Sequence, residues 1–206
     1  VNLQTPPIET VPDDSLAGKA NFVLWHWKDP QLQPQQKLQL NGARTRSYQA
    51  VYHIATKKLV QLATDSVPSV SLSDDGTRGM ALSSVPYQIE RMWLNEGSDL
   101  YVVDPVNANR TLLRKKVSGT AQISFGGKYL LFFDKGSWYS YNFATGKETN
   151  ITGGLKNVRF DQETYSTPGT PGAWGVAGWT RNDSTVLLYD RFDIWQVDPA
   201  GVKPAV

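Results

Sequence analysis

Residues 123–134 read Ile-Ser-Phe-Gly-Gly-Lys-Tyr-Leu-Leu-Phe-Phe-Asp, and residues 179–190 read Trp-Thr-Arg-Asn-Asp-Ser-Thr-Val-Leu-Leu-Tyr-Asp. The two stretches align without a gap, and each is a polar turn followed by an apolar run. A third copy, Leu-Ser-Asp-Asp-Gly-Thr-Arg-Gly-Met-Ala-Leu, occupies residues 72–82. Self-similarity of this kind indicates a repeat architecture, in which each copy is one supersecondary unit.

A second repeated signature is a short aromatic strand that ends in a turn. It occurs at residues 99–105, 137–143 and 193–199, and residues 52–58 align with 141–147. The turn residues His53, Asp104, Asn142 and Asp198 are spaced by 51, 38 and 56 residues, which is about the period of propeller blades. His53 is therefore interpreted as a turn residue rather than as a catalytic histidine.

The units consist of runs of four to seven apolar or alternating residues separated by Gly, Asp, Asn and Pro, which is typical of strands joined by turns. We find no 3.6-residue period sustained over a dozen residues, and the most helix-like window, residues 87–95, is short. The sequence thus predicts an all-β fold: a partial β-propeller of about four blades, each a four-stranded antiparallel sheet. A β-sandwich is the alternative, but it does not explain a two-part signature repeated in the same order.

The predicted boundaries are an extended, Pro-rich lead-in at residues 1–20 and a propeller fragment at residues 21–206. The predicted blades are residues 21–64, 67–117, 120–152 and 156–206, with the early strand of the first blade at residues 21–27. Because the fourth unit stops where the third has Ile151, we expect the chain to be cut from a larger propeller. An open arc exposes two apolar faces, which favours self-association through the open blade edges, closure by a distorted blade, or association with the missing part.

Composition excludes several classes of function. Hydrophobic residues make up 40% and charged residues 19% of the 206 residues, so the chain can bury a core. Lys+Arg number 21 against 19 Asp+Glu, with no basic run longer than two, so we expect no nucleic-acid partner. The absence of Cys excludes disulfides and thiolate chemistry. No apolar run reaches 18 residues, and the first twenty residues lack a signal-peptide pattern, so no transmembrane segment is predicted.

The search for catalytic motifs gives no candidate that stands out. His26, in Trp25-His26-Trp27-Lys28-Asp29, has Asp29 nearby, but strand alternation places it on the face opposite the two tryptophans. There is no Gly-x-Ser-x-Gly elbow and no phosphate-binding glycine loop. Asp74 and Asp75 are interpreted as turn caps rather than metal ligands. We therefore predict no catalytic, cofactor-binding or metal residues and no cofactor.

Two carboxylate pairs keep a propeller glycosidase open as a third possibility: Glu90 with Glu96, and Asp190 with Asp193. Asp134 and Asp190 occupy matching places in two units, which favours a structural turn role.

The tryptophans and one loop have two interpretations. Trp138 and Trp195 fall in repeated strands and are predicted to be inter-blade core. The less periodic tryptophans could form a platform for a carbohydrate or peptide; they are Trp25, Trp27, Trp93, Trp174 and Trp179. The loop at residues 169–175 is explained by its Gly and Pro content, although loops on one propeller face commonly contact substrates.

The order of a Ser-x-Asp-Gly-like turn at residues 73–76, a Leu-Leu-Phe-type strand and an Asp-Ile-Trp-x-Val-Asp-type strand resembles the propeller of the prolyl oligopeptidase superfamily, which includes dipeptidyl peptidase IV relatives. The resemblance runs from Asn21 to Val206, and residues 179–199 are similar to secreted bacterial members. TolB-type propellers share this order.

The resemblance implies that the chain is the non-catalytic half of a serine peptidase, gating and orienting peptide substrates for a separate α/β-hydrolase domain that carries the catalytic serine, aspartate and histidine. It also implies a periplasmic or extracellular location and no activity from this chain alone. Dipeptidyl members hold the peptide amino terminus with paired propeller glutamates. No adjacent pair occurs here, so the chain is not assigned to that branch; its glutamates are Glu9, Glu90, Glu96, Glu148 and Glu163. The alternative hypothesis is a TolB-like propeller that binds protein or glycan partners.

Overall fold

The computed structural model of the protein describes residues 1–4, 18, 23–94, 97–117, 120–164 and 169–206. The described chain folds into four antiparallel β-sheets of three or four strands that follow one another in sequence. Each sheet packs against the next through an apolar cluster. This arrangement confirms the all-β prediction of a partial β-propeller.

The strands are numbered in chain order. Sheet 1 consists of β1 (Asn2–Gln4), β2 (Ser47–His53) and β3 (Lys58–Gln61). Sheet 2 consists of β4 (Val70–Leu72), β5 (Gly79–Ser83), β6 (Ser98–Val103) and β7 (Arg110–Val117). Sheet 3 consists of β8 (Ala121–Ile123), β9 (Tyr129–Asp134), β10 (Ser137–Asn142) and β11 (Glu148–Asn150). Sheet 4 consists of β12 (Val176–Trp179), β13 (Val186–Tyr189) and β14 (Ile194–Val197).

Sheet 4 carries one further backbone pairing beyond its three named strands. Gln196 and Val206 exchange backbone hydrogen bonds of 2.7 and 3.1 Å. Val206 therefore pairs with β14 in sheet 4 in the same way that β11 pairs with β10 in sheet 3.

The repeated polar turn has the same geometry in sheets 2, 3 and 4. In each, a backbone N–H bonds the carbonyl five residues later; the pairs are Ser73 with Arg78, Ser124 with Tyr129, and Thr180 with Thr185. The fourth residue of each turn has a positive φ: 68° at Gly76, 67° at Gly127 and 55° at Asp183. Glycine adopts this conformation without strain, so Asp183 is the exception that needs an explanation.

Three apolar clusters lie between consecutive sheets. Tyr48 and Val60 of sheet 1 pack with Val70 and Val103 of sheet 2. Met80 and Leu100 of sheet 2 pack with Leu130 and Phe132 of sheet 3. Between sheets 3 and 4 the cluster contains Leu131, Phe133, Trp138, Val186 and Leu188. Trp138 is fully buried, which confirms its predicted place in the inter-blade core.

The sequence shows no 3.6-residue period over a dozen residues, yet the structure contains an α-helix of 12 residues. The α-helix α1 (Gln33–Arg44) buries no side chain. It has Pro34 in its first turn and Arg44 in its last, which suit the two ends of a helix. Most of the residues between them are Gln and Leu, which favour helices. A 3.6-residue period of apolar residues arises in helices that bury one face. Because α1 buries no side chain, its sequence does not show that period. No helix in the described part of the chain is long and apolar enough to cross a membrane.

The predicted early strand at residues 21–27 is also absent where it is described, because residues 23–26 are irregular and a turn follows at Trp27. The strand that pairs with β2 is β1, from the lead-in. Val1 adds hydrogen bonds to Ala50 in both directions. That edge of β2, where the predicted strand was expected to pair, is therefore already occupied. Residues 5–17 lie outside the described residues, and the blade boundaries stay a prediction.

Asp75 closes the sheet 2 turn, as predicted for a turn cap. Its carboxylate accepts hydrogen bonds from Ser73 Oγ at 2.6 Å and from the Thr77 backbone N–H at 3.0 Å, and Thr77 Oγ1 adds a third. These bonds lower the pKa of Asp75 to about 2. Because the folded-state pKa lies below the unfolded value of about 3.9, the stabilisation is present above pH ~4 and is lost as the pH falls through about 2.

We therefore expect Asp75→Asn to flatten the acid side of the melting-temperature profile between about pH 4 and 2. Thermal unfolding followed by circular dichroism from pH 6 to 2 measures this. Asp74→Asn is the matched control, since it removes the same charge one residue away. If the melting temperature of Asp75→Asn fell between pH 4 and 2 as steeply as that of the unmodified protein, the role assigned to this carboxylate would be contradicted.

Candidate functional site

A cleft of about 180 Å³ lies at one end of sheet 4. Because the strands are antiparallel, the segment that precedes β12 and the turn between β13 and β14 meet at the same end of the sheet. Both contribute to the walls. The cleft is lined by Asn157, Arg159, Asp161, Glu163, Trp174, Asp190, Arg191 and Phe192.

Backbone pairing fixes the first wall. Asp161 and Ala173 form an antiparallel bridge. The Trp174 N–H donates to the Phe160 carbonyl at 3.0 Å, and the Gln162 N–H donates to the Gly172 carbonyl at 2.8 Å. Phe160 is buried in the cluster between sheets 3 and 4, so alternation along this segment directs Asp161 to the cleft.

Asp190 fixes the second wall by capping the β13–β14 turn. Its carboxylate accepts hydrogen bonds from Trp195 Nε1 at 2.9 Å and from the backbone N–H groups of Phe192 and Asp193 at 2.7 and 2.6 Å. Burial acts to raise the pKa of Asp190, but these three bonds outweigh it and hold the pKa below its usual range. The carboxylate is therefore ionised at neutral pH.

Two ion pairs lie along the walls of the cleft. Arg191 Nη1 is 2.7 Å from Glu163 Oε2, and Arg159 Nη2 is 2.8 Å from Asp161 Oδ2. The bond from Arg159 is the main reason that the pKa of Asp161 is lowered, in spite of partial burial. The Arg191 guanidinium also lies 5.2 Å from the centre of the Phe192 ring. The cleft thus alternates paired charges with aromatic surface.

Asp161 and Asp190 are not suited to act as general acids. A general acid needs a pKa near the working pH, whereas the pKa values of Asp161 and Asp190 are both lowered. The eight described lining residues include no serine, cysteine or histidine, which are the usual members of a nucleophile and base pair. In the rest of the described chain, no group of three or more His, Asp and Glu residues is placed to hold a metal ion.

The structure brings two residues from the sequence analysis together here, Trp174 from the Gly/Pro-rich loop and Asp190. The proposed partner Asp193 contributes its backbone N–H to the Asp190 cap. In the other carboxylate pair, Glu90 binds Lys116 Nζ at 2.6 Å, and Glu96 lies outside the described residues.

The remaining tryptophans and both histidines lie elsewhere. His26 is exposed in a turn, where Nδ1 accepts the Lys28 N–H at 3.1 Å, so the strand-alternation argument for it was wrong. The His53 ring nitrogen is 3.0 Å from the Pro105 carbonyl and links sheets 1 and 2. Trp179 packs partly on the inter-sheet cluster and stacks on Tyr129, which does not fit the platform interpretation.

Sequence reasoning missed most of the lining residues. Arg191 and Phe192 lie in the turn after the repeated strand, at the place that Lys135 and Gly136 take in the third unit. The third unit has a polar Lys-Gly turn at this place, whereas the fourth unit has Arg-Phe. This difference was the signal in the sequence that could have identified the two residues. The segment with Arg159, Asp161 and Glu163 has no counterpart in the repeat, and only the fold shows that it lies beside Asp190.

Comparisons with known proteins identify no family. No protein-family model matches the chain, and no curated protein matches it. Among solved structures, TolB from Acinetobacter baumannii is similar at 13% identity and a TM-score of 0.40, over 76% of this chain and 36% of that one. Porphyromonas gingivalis dipeptidyl peptidase 4 is similar at 12% identity and a TM-score of 0.41, over 79% of this chain and 23% of that one. The chain therefore spans about a third and a quarter of these two structures.

Proposed function

We propose that the chain is a non-catalytic propeller module that binds an extended peptide segment in the cleft of sheet 4. In the full protein this binding would gate and orient peptide substrates for an α/β-hydrolase domain. The observation that supports the proposal is the cleft itself, with ionised carboxylates, arginines and exposed aromatic rings held on two rigid walls.

A peptide matches this set of groups. Asp161 and Asp190 accept hydrogen bonds from N–H donors, and the two arginines bind carboxylates through paired N–H groups. Trp174 and Phe192 are 37% and 82% exposed, and supply apolar contact area with few rotamers to fix. The arginines of the two ion pairs are more exposed than their carboxylate partners, so the guanidinium groups are the parts of these pairs that a ligand can reach.

A second candidate is a TolB-like module that binds a protein or glycan partner. The 82% exposure of Phe192 at the rim supports it, because an aromatic side chain that protrudes into solvent can insert into a pocket on a partner surface. The coding sequence that follows Val206 separates the candidates. A Gly-x-Ser-x-Gly elbow followed by Asp and His supports gating, whereas an end after further blades supports the binding module.

The proposed function implies that the protein is located in the periplasm or outside the cell, where a secreted peptidase would meet peptides. Fractionation of cells that express the full protein, with antibody detection, tests it. Recovery of the protein in the cytoplasmic fraction would contradict this part of the proposal.

We expect Trp174→Ala to weaken peptide binding about tenfold, which corresponds to ~1.4 kcal/mol. The probes are a library of blocked synthetic hexapeptides and, as the glycan arm, a set of neutral oligosaccharides, followed by tryptophan fluorescence and calorimetry. Trp27→Ala is the matched control, because Trp27 is also highly exposed and does not line the cleft.

Three other outcomes decide against the proposal. Binding of oligosaccharides alone moves the assignment to a glycan-binding module. Affinity that is equal in Trp174→Ala and the unmodified protein places the peptide elsewhere. Serine-dependent hydrolysis of peptide esters by the purified chain contradicts a non-catalytic role.

A further inference from the structure

The cleft of sheet 4 contains one carboxylate that is not paired with a cation. Three carboxylates and two arginines line the cleft, so its formal charges leave an excess of one negative charge. Glu163 is 2.7 Å from Arg191 Nη1. Asp161 is 2.8 Å from Arg159 Nη2. No cation among the described residues lies within ion-pairing distance of Asp190, so the excess charge belongs to Asp190.

Three neutral donors hold the Asp190 carboxylate in place without neutralising it. They are Trp195 Nε1 and the backbone N–H groups of Phe192 and Asp193, at 2.9, 2.7 and 2.6 Å. A carboxylate can accept about four hydrogen bonds. Asp190 can therefore accept one more donor, and its charge is available to a cation.

The matching position in sheet 3 shows the same aspartate with a cation. Asp134 takes the place of Asp190 in the repeat, and its Oδ2 is 2.9 Å from Arg114 Nη1 of the preceding sheet. The sheet that precedes sheet 4 is sheet 3, and no side chain of its described residues makes this contact with Asp190. The position is thus neutralised within the chain in sheet 3, and a ligand can neutralise it in sheet 4.

The other walls of the cleft suit the stem of a lysine. Trp174 and Phe192 line the same cleft as Asp190, and both rings are exposed. A lysine packs its methylene groups on apolar surface, and its ammonium group is attracted to the face of an aromatic ring. The cleft volume of about 180 Å³ lies below the range of about 300–1,000 Å³ for pockets that enclose a whole ligand. The cleft therefore suits one side chain of a longer ligand.

We propose that the cleft selects extended peptides that carry a lysine, whose ammonium group pairs with Asp190 while its stem lies against Trp174 and Phe192. This inference rests on the proposed function, since it names the class of peptide for the same cleft. The single open acceptor position of Asp190 suits a compact ammonium group better than the planar guanidinium of an arginine, which binds through paired N–H groups.

Pairs of blocked hexapeptides test the proposal on the purified chain. The two peptides of a pair differ only at one central residue, which is lysine in one and Nε-acetyllysine in the other. Acetylation keeps the methylene stem and removes the charge, and the blocked ends leave no terminal ammonium group. By calorimetry, we expect the lysine peptide to bind about tenfold more tightly, as for a hydrogen bond to a charged group.

Asp190→Asn is expected to abolish this difference between the two peptides. The asparagine Oδ1 can still accept the backbone N–H groups of the turn, and circular dichroism checks that the variant is folded. Asp74→Asn is the matched control, because it removes the same charge from an exposed turn of sheet 2 outside the cleft. We expect this control to keep the full preference for lysine.

The outcomes separate this inference from the proposed function. If both peptides of a pair bind the unmodified protein with equal affinity, the lysine preference is overturned while peptide binding stands. A preference for lysine that survives in a folded Asp190→Asn variant also overturns it, because the cation then binds elsewhere. If no peptide of either kind binds, the proposed function fails and the inference fails with it. The comparison in the unmodified protein decides the question even if Asp190→Asn does not fold.

Discussion

Asp183→Ala is expected to lower the free energy of unfolding by about 3 kcal/mol, because a single buried carboxylate joins sheet 4 to sheet 3. Asp183 is only 3% exposed. Its carboxylate accepts hydrogen bonds from Ser124 Oγ at 2.7 Å, the Gly126 N–H at 2.9 Å and the Lys128 N–H at 3.3 Å. All three donors belong to the turn between β8 and β9.

The expected loss follows from the groups that the substitution leaves behind. Ser124 is 1% exposed, so its hydroxyl has little access to water once the carboxylate is removed. A buried donor without an acceptor costs about 1–3 kcal/mol, and hydrogen bonds to a charged group lie at the upper end of that range. Asp183 also has a positive φ of 55°, a conformation that aspartate tolerates better than alanine does.

Urea denaturation followed by tryptophan fluorescence measures the change, and Gly126→Ala tests the contact from the opposite side. A Cβ at Gly126 would lie 2.7 Å from Asp183 Oδ2, so this substitution is expected to destabilise the protein while Asp183 is present. It should cost much less in the Asp183→Ala background, which gives a measurable coupling in a double-mutant cycle. Additive effects of the two substitutions would contradict the proposed link.

The turns show how far the sequence could predict the fold. The repeat located the turns and strands of sheets 2, 3 and 4 because local turn chemistry and strand alternation decide them. It did not show that Asp183 binds across sheets while Asp75 binds within its own turn. The signal in the sequence was that Asp183 takes the place of Gly76 and Gly127 in the repeat. A non-glycine residue at a position that requires a positive φ implies a contact that compensates for the strain.

Sheet 1 and the cleft were less predictable for a different reason. β1 is only three residues long, and the apolar residues 23–27 looked more strand-like, yet pairing with β2 selected Asn2–Gln4. The cleft draws Arg159, Asp161 and Glu163 from a segment outside the repeat. Long-range pairing, which no local pattern encodes, decides both features.

Arg114→Met is the second substitution with a large expected effect, a loss of about 3 kcal/mol in the free energy of unfolding. Arg114 lies on β7 and reaches across to sheet 3, where Nη1 is 2.9 Å from Asp134 Oδ2 and Nη2 binds Glu148 Oε1. Its guanidinium also lies 4.6 Å from the centre of the Tyr139 ring. Burial acts to lower the pKa of Arg114, but the two carboxylates outweigh it and raise the pKa.

The loss arises mainly from Asp134, whose side chain is only 5% exposed and would keep a buried charge without a cation. Lys115→Met is the matched control, because it removes a charge from an exposed neighbour on the same strand, and we expect it to change stability by no more than about 0.5 kcal/mol. Urea denaturation compares the two variants.

Adding Asp134→Asn to Arg114→Met separates the charge from the packing. A neutral amide is cheaper to bury alone than a carboxylate, so the double variant should recover part of the stability lost in Arg114→Met. No recovery would assign the loss to the contacts of the Arg114 guanidinium with the Tyr139 ring and with the Phe132 ring, whose centre is 5.3 Å away. Asp190 occupies the place of Asp134 in sheet 4, but it binds Trp195 and its own turn and lines the cleft. One repeated position therefore joins sheet 3 to sheet 2 through Asp134, whereas in sheet 4 its equivalent Asp190 caps a turn and lines the cleft.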